Sequence, residues 1–410
     1  MNFVPTPSQP TPTPLRILLS GEFGWFFAGR TVDLLGSSMT TVALALSVLQ
    51  ASGNASDLGI VLAANMIPTL ILLLLGGVVA DRISRGVLLI CSNLSSAVSI
   101  GAMGGLLIGG RYSLVAFTLL SFVNGAVGAF TSPALRGIVP ELVENHDLQR
   151  ANALLASTQN AVRIIGPTAA GLIVSTAGGG WALLADAVSY LMAALAFTRI
   201  RTETDMTASK QRLWRDLVDG WSVFTSMRWV VIMTISFALI NAFNVGPWNV
   251  LGPQVVSQES GAFGWGAVLT VRAAGLLVMS VVALKLTLRY PLRDGRLWGT
   301  IAALPLLALG LSGQAWVVAS AAFVGGLGFT LAAITWESTL QQSVPNKALS
   351  RVAAYDDLFS YLAIPVSQLA VGPLSGTFGA PRVALTCGIA YIAASLLPLV
   401  NRQVRTMTRG

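Results

Sequence analysis

The stretch Gly76-Gly77-Val78-Val79-Ala80-Asp81-Arg82-Ile83-Ser84-Arg85-Gly86 sets three charged side chains between two long apolar runs. Leu58 to Val79 holds no ionisable residue, and Val87 to Gly110 holds none apart from the thiol of Cys91. A water-soluble core has no place for that pattern. An apolar helix of ~20 residues just crosses a ~30 Å hydrocarbon layer, so the segment reads as a tight turn at one membrane face joining two packed transmembrane helices. Composition agrees: 54% of the 410 residues are hydrophobic and 10% charged, at a mean hydropathy of +0.72, where soluble domains carry about a quarter charged residues.

Twelve apolar segments are expected, near 22–49, 58–80, 87–109, 113–133, 154–176, 181–198, 230–250, 262–286, 297–312, 316–336, 353–377 and 383–400. With a cytoplasmic N-terminus, twenty of the twenty-five Lys and Arg residues fall on the cytoplasmic side, Arg296 among them, and only Arg111 and Arg382 on the other. The net charge of +8 is thus a topology signal, and no nucleic-acid partner is needed to explain it. Residues 1–15 are rich in Pro and Thr and should form a disordered tail with no removable signal peptide. Cys91 and Cys387 fall in apolar runs far apart with no metal-ligand spacing around them, and the single His146 sits in a polar turn, so neither a metal site nor a Ser-His-Asp arrangement is expected; no Gly-rich Lys-Ser/Thr nucleotide motif is present. No cofactor and no enzymatic activity are expected.

The polar break from Arg199 to Arg228 divides two sets of six spans, giving units at 16–199 and 229–401 with a linker at 200–228 and a basic tail at 402–410. Within the linker, Trp214, Leu217, Val218 and Trp221 share one face of an expected interfacial helix. Val139-Pro140 and Val344-Pro345 stand 205 residues apart, and Gly166-Pro167 and Gly372-Pro373 stand 206 apart. Two matches at nearly one offset suggest a duplicated six-span unit, which puts a substrate path between the repeats.

Gly77, Asp81, Arg82 and Arg85 fill a pattern of Gly, three residues, Asp-Arg, two residues, Arg, and in this the chain resembles the major facilitator superfamily. Ser132-Pro133-Ala134, Val139-Pro140-Glu141-Leu142-Val143 and Ala151-Asn152-Ala153, with Arg30-Thr31 and Leu34-Leu35-Gly36, are similar to the branch containing macrolide-efflux and enterobactin-type siderophore exporters. Gly166-Pro167 is like the Gly-Pro element associated with antiporters, although Gly86 departs from the usual basic residue of the turn. The resemblance implies an all-α membrane protein of twelve transmembrane helices in two pseudo-symmetric six-helix bundles. It also implies a monomeric proton antiporter of the bacterial inner membrane, with both termini cytoplasmic, exporting a small amphipathic molecule. A siderophore exporter and a (lyso)phospholipid flippase are the alternatives.

Ionisable residues inside spans are costly and mark pathways or gates. Arg30, Asp33 and Arg163 reach mid-depth in the first and fifth spans, and the superfamily architecture implies that they form one cluster at a central cavity. Asp33 then reads as a proton carrier or as a permanently paired structural ion. Arg272, mid-depth in the eighth span, reads as an unpaired cation for an anionic substrate group or as a partner of Asp33 or Glu337. Asp186 reads as structural, and Glu337 as a gate contact. Asn241, Asn244, Trp248 and Asn249, among Pro247 and Pro253, give a polar, breakable seventh span in which Trp248 faces a ligand or anchors the outer leaflet. In the turn, Asp81 is expected at the N-terminus of the eleventh helix, with Arg82 and Arg85 reaching Glu141, Asp356 or Asp357 to close the cytoplasmic side.

Overall fold

The computed structural model describes residues 21–80, 84–144, 147–200, 221–286 and 288–408. The expected tail, Asp81, Arg82 and most of the linker, including Trp214, lie outside the described residues. The first half contains α1 (Gly21–Ser52), α2 (Ala55–Ala80), α3 (Arg85–Ile108), α4 (Leu114–Leu142), α5 (Leu148–Ala177) and α6 (Gly179–Phe197). In the second half, α7 (Arg228–Gly246) passes through a π-helical turn at Pro247–Leu251 into α8 (Gly252–Ala283). Next come α9 (Pro291–Gly299), a 3-10 turn, α10 (Leu304–Leu311) and α11 (Ala315–Ser343). The chain ends with α12 (Asn346–Tyr361), α13 (Ala363–Phe378), α14 (Ala380–Leu396) and the short α15 (Arg402–Thr406). Among the described residues nine segments are long and apolar enough to cross a membrane; one of them, Arg228–Ala283, is broken at Gly261. We call the end at which α2 finishes and α3 begins the basic end.

The duplication read from two dipeptides is visible in the turns at the opposite end. Gly53, Gly110 and Gly178 have positive φ (66°, 65° and 93°), and Gly261, Gly313 and Gly379 repeat them in the second half at 68°, 68° and 85°. Only glycine takes this conformation without strain, so each turn is written into both halves. The halves meet through two main helix pairs, α5 with α8 and α2 with α13. The repeat carries α2 to α8 and α5 to α12–α13, so these are one contact formed twice.

Those contacts are backbone-close. A Cβ on Gly59 would overlap the Gln368 carbonyl oxygen, one on Gly372 the Ser56 backbone, and one on Gly266 the Pro167 carbonyl oxygen; one on Gly171 would lie 2.9 Å from the Ala262 oxygen. They lie towards the opposite end, where one apolar core runs through both halves from Val42 and Leu58 to Val250, Ala262 and Val371. At the basic end the core divides: Phe23, Phe26, Ile138 and Phe197 pack within the first half, and Trp229, Met233, Trp336 and Leu340 within the second. The described part of the linker joins the second of these, with Trp221 and Phe224 packed on Tyr355 and Phe359 at ring distances of 5.5 to 6.1 Å.

Candidate functional site

One face of α1 carries Gly29, Asp33, Gly36 and Thr40. The two glycines let it touch α6, since a Cβ on Gly29 would meet Ala196 and Phe197 and one on Gly36 would meet Asp186 and Ser189. Asp33, 6% exposed, therefore points into the α1–α6 seam rather than into a central cavity, which corrects the expected placement. Arg30 pairs with it one turn away. Asp186, fully buried across the seam, accepts hydrogen bonds from Thr40 Oγ1 and, at 3.2 Å, from Ser189 Oγ. Arg163 is exposed on α5 and makes no ion pair with Asp33 among the described residues, so the expected three-residue cluster reduces to Arg30 and Asp33, with Asp186 as the neighbour. Arg30 also lines a cavity of about 230 Å³ with Leu34, Asn152 and Gln159, so it joins the buried carboxylate to accessible space at the basic end.

The larger cavity, about 800 Å³, lies in the second half between α7, α9, α11, α12 and α14. Aromatic walls come from Phe237, Trp336 and Tyr361, and polar lining from Asn241, Glu337 and Asp357. Asn241 Nδ2 donates to the Ser360 carbonyl at 2.8 Å, which ties α7 to α12. Glu337 is exposed and accepts from Gln341 Nε2 at 2.6 Å. Asp356, 6% exposed, is held by Thr234 Oγ1 at 2.6 Å and Trp336 Nε1 at 3.0 Å. Its carboxylate therefore serves its own half and is no partner for Arg85. Arg85 instead pairs with Glu141 across α3 and α4, also within one half.

Arg272 finds neither Asp33 nor Glu337. Its guanidinium lies 4.9 Å from the centroid of the Trp248 ring, which packs at 4.9 Å on Trp265. Trp248 is 4% exposed, so it is a buried stacking platform rather than a membrane-surface anchor. Asn244 is half-buried on α7, outside both cavity linings. Gly166 and Pro167 sit at a three-helix junction: a Cβ on Gly166 would overlap Ser38 of α1, and the Pro167 carbonyl approaches Gly266 of α8. Proline removes a backbone hydrogen bond, and beside that gap Thr270 Oγ1 of α8 donates to the Ile164 carbonyl at 2.7 Å. Gly77 lies near the end of α2. At the opposite end, Tyr112 donates to Asp57 at 3.1 Å, and burial followed by the nearby carboxylate raises its phenol above the usual range, so it remains a donor.

Arg296 escapes the sequence reading. Counted among loop charges, it is 3% exposed inside α9, and it lines the larger cavity. Two signals point to it: apolar residues follow it with no polar break, and Gly295 and Gly299 flank it. A Cβ on Gly295 would overlap Thr335 Oγ1, so this turn sits hard against α11.

The Major Facilitator Superfamily profile matches residues 26–367. Multidrug efflux pump Tap of Mycolicibacterium fortuitum is 25% identical over 403 residues, covering 93% of this chain and 95% of its own. The staphyloferrin A transporter of Staphylococcus aureus is 25% identical over 266 residues, covering 63% of this chain and 66% of its own. Among solved structures, the nucleoside transporter NupG superposes with a TM-score of 0.77 at 12% identity, over 92% of this chain and 99% of that one. A bacterial ferroportin homologue gives 0.69 at 15%, over 94% and 100%. With helices, turns and profile in agreement along most of its length, the chain belongs to the Major Facilitator Superfamily and is a multi-pass membrane transporter, not an enzyme.

Proposed function

We propose that this protein is a secondary active exporter of a small amphipathic organic molecule, driven by proton antiport through alternating access. The observation that carries the reading is the division of the core. The halves share one core and touch backbone to backbone at the opposite end, whereas at the basic end their cores separate and two cavities lie there. A protein that opens its α2–α13 and α5–α8 contacts at the opposite end while its halves close at the basic end exchanges which end is sealed. The aromatic walls and volume of the larger cavity suit a drug-sized ligand, and the full-length match to a multidrug efflux pump supports that class.

In this reading twelve helices cross the bacterial inner membrane with both termini cytoplasmic, the basic end is cytoplasmic, and the protein works as a monomer in the bilayer. The proton is carried at the α1–α6 seam. Arg30 serves both Asp33 and the smaller cavity, so a ligand or water that draws Arg30 away leaves Asp33 to take a proton in its place. Arg85 and Glu141, paired between α3 and α4, belong with the charged residues Asp81 and Arg82 to the lock that holds the cytoplasmic side when it closes. A second reading, export of a siderophore or other self-made product, is favoured by the partial match to the staphyloferrin A transporter.

Uptake into energised everted vesicles tests this, scanned over cationic dyes, a carboxylate siderophore and a labelled lysophospholipid. Protonophore-sensitive accumulation of the dyes, lost in Asp33→Asn, is expected. Accumulation of the siderophore alone transfers the assignment to the second reading, and accumulation of the lipid alone refutes both.

A further inference from the structure

We infer that the second-half cavity is a two-pole site for zwitterionic aromatic ligands, with Arg296 holding an anionic group and Glu337 facing a cationic one. The inference deepens the proposed function and rests on it for the statement that the bound molecule is cargo. Arg296 is 3% exposed, and its Nη1 has no hydrogen-bond partner among the described residues. A buried cation that lacks a partner is expensive, and a guanidinium whose fork is built for carboxylates leaves that donor idle only where something else completes it. Its one flat contact, the Phe237 ring 4.6 Å from Cζ, holds the group in plane without using its donors. Glu337 and Asp356 line the same cavity, and neither makes an ion pair with Arg296 among the described residues. Asp356 is occupied by Thr234 and Trp336, and Glu337 is exposed on α11 with Gln341 as its donor.

Arg296 and Glu337 line one cavity of about 800 Å³ and form no ion pair with each other among the described residues, so both charges are open to one bound molecule. A molecule with an aromatic body, a carboxylate at one end and an amine at the other satisfies both poles and packs against the aromatic wall that Phe237, Trp336 and Tyr361 provide.

The test is equilibrium binding by fluorescence polarisation to the purified full-length protein in detergent, using a matched dye pair. Rhodamine 110 carries a free carboxylate, and rhodamine 123 is its methyl ester. The wild type should bind rhodamine 110 more tightly, by roughly tenfold, the scale of one charge-assisted hydrogen bond. Arg296→Gln should weaken rhodamine 110 roughly tenfold and rhodamine 123 less than about twofold, with Arg296→Lys in between because it keeps charge but not the fork. Equal or tighter binding of the ester by the wild type overturns the inference, and this arm needs no variant to fold. Equal weakening of both dyes by Arg296→Gln also overturns it. Selective binding without protonophore-sensitive uptake in vesicles would leave the two-pole site standing and sink the export reading alone.

Discussion

Gly59→Val should bias the protein away from the state described here. A Cβ at residue 59 overlaps the Gln368 carbonyl oxygen, and its neighbour across the same contact, Gly372, faces the Ser56 backbone just as closely. Both obstacles are main chain, so no rotamer relieves them. Overpacking of this kind costs about 1–3 kcal/mol. The cost falls only on the state in which α2 and α13 touch at the opposite end, so the ratio of the two states should move by about 5- to 150-fold. At the upper end this inverts a tenfold bias. The assay is alkylation of Ala353→Cys, which lines the larger cavity, in a background where the free Cys91 and Cys387 are replaced by Ser. In everted vesicles a membrane-impermeant maleimide should label this site more slowly once Gly59 is Val. Gly128→Val, where nothing lies within 4 Å, should leave the rate unchanged. Equal labelling in the Gly59 and Gly128 variants would refute the claim that the contact opens during the cycle.

Gly166→Ala should lower thermal stability by about 1–3 kcal/mol, since its Cβ overlaps the Ser38 side chain, and Ser38→Gly in the same protein should restore most of the loss. Arg272→Lys should destabilise by up to about 2 kcal/mol through the lost stacking on Trp248, read by a shift in melting temperature, and Trp248→Leu should do the same without adding to it. Glu141→Gln, which breaks a half-exposed pair to Arg85, should cost less than about 1 kcal/mol; a larger loss in melting temperature would mean that the pair does more than join α3 to α4.

The depth of Asp33 was legible from its distance into the first apolar run, but its direction was not. Gly29 and Gly36 carry the missing information, because small residues on the stripe of a membrane helix mark a face packed on another helix. Read that way, the stripe places Asp33 in a seam. Arg296 shows the converse failure. A count of basic residues assigns every cation near a span end to the aqueous rim, and burial in a helix that starts only a turn earlier leaves no mark in such a count. The repeat offered two dipeptides to the sequence, while its clearest record, the glycine at each matching turn, has no meaning until φ is known. The contact partners of Gly59, Gly171, Gly266 and Gly372 lie far away in the chain, so periodicity within one helix holds no trace of them.

Rocking of the halves is tested most directly by spin-label distances at both ends of one protein. Thr198 and Gln342 are exposed at the basic end, one in each half, and Arg111 and Arg382 are exposed at the other. Cysteine labels at each pair, measured by double electron–electron resonance, should show two populations at each end. On lowering the pH or adding a transported dye, the first distance should shorten as the second lengthens. Distances that stay fixed, or that lengthen and shorten together, would contradict alternating access.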